Sequence, residues 1–300
     1  MQTLYTLESM GMASPEGYQQ GITILNEKIK RGLDLFVISL EYIRHIARYA
    51  DVKATARASK YLPSQDDLNA SRKIAANQFL GLLASNSSFT DKAKEPAIIH
   101  AINDEWVKKL FQQLEQSEDY KNYIAEEASR NAKEEKHIIQ FIWQKMILEN
   151  EGFMEFFGEE LQGWEDDKEM TTMLMDNFFK GPAKVDFSKM MSAEKREYSH
   201  DLLRTVLEKK EYCMELIQPK LVNWDKERVA LIDLLLLRMG VCELIYFPTI
   251  PTKVTINEYI EIAKLYSTQQ SGQFVNGVLD NILKDLEKEN KIKKQDRIRK

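Results

Sequence analysis

Apolar residues recur at spacings of three and four along most of this chain and nowhere alternate over a useful length. The pattern therefore predicts helices and no sheet. Between Ser14 and Tyr49 the positions Ile22, Leu25, Ile29, Leu33, Phe36, Val37, Leu40, Ile43 and Ile46 share one helical side. Residues 97–150 read as two or three helices ending in "HIIQFIWQKMIL" (137–148), and "YSHDLLRTVLEKKEYCMELIQPKL" reads as one amphipathic helix from Tyr198 to near Pro219. The stretch 225–247 is apolar almost all round, so other helices must enclose it. Its isolated polar residues Asp233, Arg238 and Glu243 must then be paired or reach an edge.

Between these stretches lie breaks. "YLPSQDDLNASRK" (61–73) is a turn followed by a helix start, 82–97 is the most loop-like part of the first half, and Gly181-Pro182 interrupts 177–192. Thr255 and Glu258 have the spacing of a capping box, and Ser271 is placed to cap the last helix. That helix contains "FVNGVLDNIL" (274–283), where Asn276 and Gly277 stand in place of good helix formers. Gly277 is expected to admit a neighbouring helix at close range. The opening "MQTLYTLESMGM" starts as a helix with no capping residue before it.

Composition narrows the class. The chain of 300 residues is 43% apolar and 30% charged, with only 12 Gly and 7 Pro, as expected of a helical globular protein. Neither a signal peptide nor a bilayer-length apolar run is visible, so a cytoplasmic protein is expected. Cys213 and Cys242 fall inside apolar helical patterns and read as buried thiols. A net charge of −5 argues against a general nucleic-acid binder. Residues 151–170 carry an acidic run, read as solvated surface, and the last ten, "KIKKQDRIRK", a basic tail open to RNA phosphates.

Candidate chemistry is sparse. Glu134/His137 and Glu197/His200 are Glu-x-x-His pairs, half of what a di-metal bundle needs, with Glu41 and Glu160 as possible further ligands. The charged neighbours of His137 favour exposed surface, and no metal or other cofactor is expected. Phosphate-loop, G-x-S-x-G, C-x-x-C and H-E-x-x-H patterns are all missing, so no enzyme is expected. Trp106, Phe111, Phe141, Trp143, Phe153, Phe156 and Phe157 fall at helical spacings and read as core.

Three C-terminal stretches occur in series: "RVALIDLLLLRMGVCELIY", "IPTKVTINEYIEIAKLYS" and "SGQFVNGVLDNIL". With "MQTLY" at the start, they resemble the NusB family of transcription antitermination factors. Lys253 with "INEYIEIAK" and "FVNGVLD" are the most telling pieces. The resemblance implies an all-α fold of two packed helical bundles, here with an enlarged N-terminal helical region. The expected division is 1–195 for that region, 196–288 for the NusB-like domain and 289–300 for a disordered basic tail.

The same resemblance implies binding of boxA-type single-stranded RNA together with ribosomal protein NusE, within an RNA polymerase antitermination complex that supports ribosomal RNA transcription. By position, Tyr5 and Asp233 match places that face NusE. Gln270, Gln273 and Phe274 match the turn and helix start that meet RNA. One departure stands out. Family members open with an arginine-rich stretch before Q-x-L-Y, whereas here the first basic residue is Lys28. The uncapped start favours a true start lying further upstream. Two other readings compete: a helical interaction scaffold that binds no RNA, and the N-terminal part of an RNA cytosine methyltransferase, which would require a following α/β domain.

Overall fold

A computed structural model describes residues 1–125, 128, 130–189, 191–221, 229–268 and 270–295. Among them the chain forms helices and no strand, so the all-α expectation holds. The α-helices are α1 (Gln2–Ser9), α2 (Tyr18–Ala58), α3 (Gln65–Leu68), α4 (Gln78–Ala84), α5 (Ser87–Lys92), α6 (Pro96–His100), α7 (Asp104–Gln116) and α8 (Glu118–Ala125). They continue with α9 (Ala132–Phe141), α10 (Glu151–Glu160), α11 (Trp164–Lys180), α12 (Ala193–Glu208), α13 (Lys210–Ile217), α14 (Leu231–Tyr246), α15 (Thr252–Tyr266) and α16 (Ser271–Lys288). A π-helical segment, Ile142–Leu148, extends α9. No helix among the described residues is long and apolar enough to cross a membrane.

The chain divides into two compact units, one of residues 1–27 with 191–300 and one of residues 28–190. The second unit has an aromatic core. Phe36 meets Phe178 edge-on and stacks on Phe187, Tyr42 meets the edges of Phe153 and Phe157, and Phe157 meets Trp164. The aromatics expected in the core lie there: Phe111, Trp143, Phe153 and Phe157 are buried, and Trp106, Phe141 and Phe156 pack against them. The acidic run is mostly exposed, with Asp167 as the exception. It is buried and accepts a hydrogen bond from Arg31 Nε at 3.0 Å.

Residues 82–97 are not a loop. Asn86 accepts from the N–H of Phe89 and starts α5, and Pro96 occupies the first turn of α6. Each helix is about one or two turns long, too short for periodicity to register, so only the capping residues mark it.

The first unit is built around α14, which packs against α1, α12, α13, α15 and α16. Enclosure explains its all-round apolar sequence. The expected single helix from Tyr198 is broken in two at Lys209, whose φ and ψ are −101° and 16°. Leu202, Leu203, Val206, Leu207, Cys213 and Ile217 keep helical spacing across the break, so the pattern cannot reveal it. Cys213 and Cys242 are buried thiols, with their sulfurs 3.3 Å apart.

Two capping expectations fail. α15 begins at Thr252 after Pro251, which leaves Thr255 inside the helix and buried. Its hydroxyl donates to the Glu243 carboxylate at 2.6 Å. α16 has Gln270 at its N-cap with no side-chain capping bond. Ser271 lies within the helix and its Oγ accepts instead from the Thr268 N–H at 3.2 Å.

Candidate functional site

The three polar residues of α14 organise the first unit, each in its own way. Glu243, near the C-terminal end, accepts hydrogen bonds from Thr255, from Tyr259 at 3.3 Å and from Tyr198. A buried carboxylate is tolerable when hydroxyls replace its water. Burial, with the carboxylate alongside, raises the pKa of Tyr198 and Tyr259 well above the usual phenol value. Lys294 donates to the carbonyls of Glu243 and Phe247 at 2.9 Å each, closing the end of α14. Thus part of the basic tail is fixed in place, while residues 296–300 lie outside the described residues.

Arg238, in the middle of α14, is 2% exposed and ion-paired with Glu8 of α1. Lys210 approaches the same carboxylate at 3.2 Å. Burial would raise the Glu8 pKa, but the Arg238 and Lys210 cations outweigh it and hold the carboxyl below its ordinary value. This triad ties α1 to the central helix. Tyr5 lies on α1 and is 43% exposed, so its presentation depends on that tie.

Asp233, in the first turn of α14, is 5% exposed. Its Oδ2 accepts from Ser271 Oγ at 2.8 Å. Ser271 in turn meets the hydroxyls of Ser267 at 2.9 Å and Thr268 at 2.8 Å. Asp233 therefore sits behind the turn that leads into α16. The structure brings together a residue matched to the partner face and the turn matched to RNA, a link that sequence spacing could not show.

At that turn Gln270 and Gln273 are exposed, but Phe274 is 4% exposed and belongs to the core with Val275, Val278 and Leu279. Its ring is turned away from solvent because every third or fourth position of this helix faces α14 or α15. Lys264, which sequence analysis did not single out, lies beside the turn. Its Cγ is 3.1 Å from where a side chain on Gly272 would begin, and its ammonium is exposed and paired with Glu261. The "INEYIEIAK" motif contained it.

The expected close approach at Gly277 is not found. A methyl group there would meet nothing within 4 Å. The glycine that admits a neighbour is Gly240 of α14, where a Cβ would stand 2.9 Å from both terminal carbons of Leu279. Of the Glu-x-x-His pairs, His137 is exposed and 3.0 Å from Asp119, and Glu41 is engaged by Arg44 and His45. Among the described residues no three His, Cys, Asp or Glu side chains gather as metal ligands.

These features define a helical protein that presents polar helix ends and an ordered N-terminal helix. A model of the NusB family matches residues 159–284. Proteins called transcription antitermination protein NusB are similar over the C-terminal part. The protein from Salinibacter ruber is 45% identical over 102 residues, 34% of this chain and 64% of the relative. That from Methylacidiphilum infernorum is 44% identical over 100 residues, 33% and 69% respectively. That from Listeria welshimeri is 42% identical over 93 residues, 31% and 73%. The chain belongs to the NusB family, and the matches span about two thirds of these relatives' length. No solved structure matches it.

Proposed function

We propose that this chain is a transcription antitermination factor that binds boxA-type single-stranded RNA jointly with ribosomal protein NusE, supporting ribosomal RNA transcription in the cytoplasm. The observation that carries the reading is the start of α16. Gln270 and Gln273 stand exposed there beside the Lys264 ammonium, and the Gln270 side chain at the N-cap makes no capping bond, which leaves its amide open to a ligand. The positive end of a helix dipole attracts phosphate, and amides can both donate to and accept from splayed bases. Phe274 supports this surface from the core, and Asp233 fixes the turn through Ser271. Tyr5, with Met10 half-exposed just beyond α1, offers an apolar contact for NusE. The second unit, residues 28–190, would then add bulk or a further partner surface around this binding function.

The net charge of −5 favours a second reading, a scaffold that binds NusE without RNA. Anisotropy of a labelled boxA-type RNA, with and without NusE at two salt concentrations, separates the two. NusE-dependent binding that weakens with salt, and weakens again in Gln270→Ala and Gln273→Ala, is expected. NusE association with no RNA binding at either salt would overturn the reading.

A further inference from the structure

Cys213 of α13 and Cys242 of α14 are 29 positions apart in sequence and in contact in the fold, with their sulfurs 3.3 Å apart. Both are fully buried among apolar residues of the first unit. A buried cysteine packs as a small apolar side chain, and its reactivity decides any further role. Here the surroundings polarise the pair. The hydrogen bond from the Cys242 thiol, with the Arg238 and Lys209 cations nearby, holds the Cys213 thiol below its ordinary pKa against the effect of burial. The same hydrogen bond, together with burial, pushes Cys242 well above the thiol range. Cys213 is therefore the sulfur that reacts first and Cys242 the one that follows.

The pair also lies next to the ion triad that holds α1. Lys210 is three residues before Cys213 on α13, and Arg238 is four residues before Cys242 on α14, so each cation is about one helical turn from its cysteine. These two cations share the Glu8 carboxylate. α13 has eight residues between the break at Lys209 and the 3₁₀ turn Gln218–Leu221. So short a helix opens locally and admits a molecule as small as peroxide.

We propose that Cys213 and Cys242 are a peroxide-oxidisable pair whose disulfide ties α13 to α14 and so tightens the anchoring of α1. The Cys213 thiolate attacks one peroxide oxygen: an S–O bond forms, the O–O bond breaks and hydroxide leaves. Cys242 gives its proton to that hydroxide, and its sulfur attacks the sulfenic sulfur. The S–S bond forms as the S–O bond breaks, and the second hydroxide takes up the proton that Cys213 had lost. Two thiols are oxidised and one peroxide is reduced to two waters. The sulfurs must close from 3.3 Å to about 2 Å, which side-chain rotation and a small shift of α13 supply. With the helices joined, Lys210 and Arg238 are held at a fixed separation and the ion triad is harder to open. The step needs neither RNA nor NusE.

The test uses the full chain, reduced and then exposed to hydrogen peroxide in native buffer, followed by intact mass, peptide mapping and amide hydrogen exchange. The expected result is loss of two hydrogen masses and a Cys213–Cys242 cross-link that dithiothreitol reverses. Exchange over residues 2–9 should slow roughly three- to tenfold. Cys242→Ser should stop at a sulfenic acid on Cys213 that dimedone traps, whereas Cys213→Ser should leave Cys242 reduced. Thiols that stay reduced in the native chain and oxidise only in urea would show a sealed apolar pair and overturn the proposal, as would a cross-link between two copies. A Cys213–Cys242 disulfide with unchanged exchange over 2–9 overturns the link to α1. Both of these outcomes are read on the unsubstituted chain, so they decide the matter even if a serine variant fails to fold.

Discussion

Glu8→Gln tests whether the buried charge triad fixes the N-terminal helix. The substitution removes the carboxylate that Arg238 and Lys210 share. Lys210 is a third exposed and can turn to water, but Arg238 cannot. Among the described residues its other hydrogen bond is a long one, 3.4 Å to the Val206 carbonyl, and its Nε has no partner. Breaking one side of a buried ion pair typically costs about 3–5 kcal/mol. Glu8 retains 19% of its side-chain exposure, so solvent screening reduces the expected cost to about 2–3 kcal/mol. Because α1 is one short helix, the loss should appear as local opening. Amide hydrogen exchange over residues 2–9 should accelerate roughly 30- to 150-fold at about 1.4 kcal/mol per tenfold. Replacing both partners, Glu8→Leu with Arg238→Met, should recover most of the protection, since an apolar pair of similar volume leaves no unpaired charge. The pH dependence has a definite sign. The Glu8 pKa is lowered in the folded state, so its contribution is present above the ordinary carboxyl value. It is lost as pH falls through the folded value, below about 4.5. Unchanged exchange in Glu8→Gln, or a double variant no better than the single one, would refute the argument.

Gly240→Ala and Gly277→Ala should move stability in opposite directions in urea titrations. At Gly240 the methyl presses on Leu279 at 2.9 Å and Tyr259 at 3.4 Å, costing about 1–3 kcal/mol of overpacking against a helix gain of about 1; at Gly277 only the gain applies. A larger Tm for Gly240→Ala would contradict the packing. Glu243→Gln should lower stability by about 1.5–3 kcal/mol through weakened hydrogen bonds from three hydroxyls. In the same variant, ultraviolet titration should find Tyr198 and Tyr259 ionising nearer the ordinary phenol value. A raised phenol pKa in the folded state means that stability falls as pH climbs past about 10, where the unfolded chain ionises first. Arg31→Ala should cost about 3 kcal/mol by leaving the buried Asp167 carboxylate unpaired. Denaturation of that unit, monitored by its tryptophans, should shift to lower urea, and an unchanged midpoint would argue against the pair.

Much of the architecture was legible before any coordinates. Spacings of three and four marked the long helices, because burying one face of a helix demands that repeat whatever it packs against. The near-uniform apolarity of 225–247 announced an enclosed helix, seen at Leu231–Tyr246 with 225–228 outside the described residues, and its three charged residues had to be paired or reach an edge: Arg238 is ion-paired, and Glu243 and Asp233 accept hydrogen bonds from hydroxyls. What sequence could not supply was the identity of each partner. Glu8 and Arg238 are 230 positions apart, and Asp233 meets Ser271 only because α14 and α16 pack together. Thr255 and Ser271 had the right chemistry to cap helices, yet Pro251 moved one helix start upstream and Asp233 drew the other hydroxyl inward. The two glycines make the same point. Both are helical, but only packing decides that Gly240 faces Leu279 and Gly277 faces open space. Local sequence sets what a residue is able to do, through its backbone preference and hydrogen-bonding groups. The tertiary structure sets what surrounds it, and burial and partners depend on segments far away in the chain.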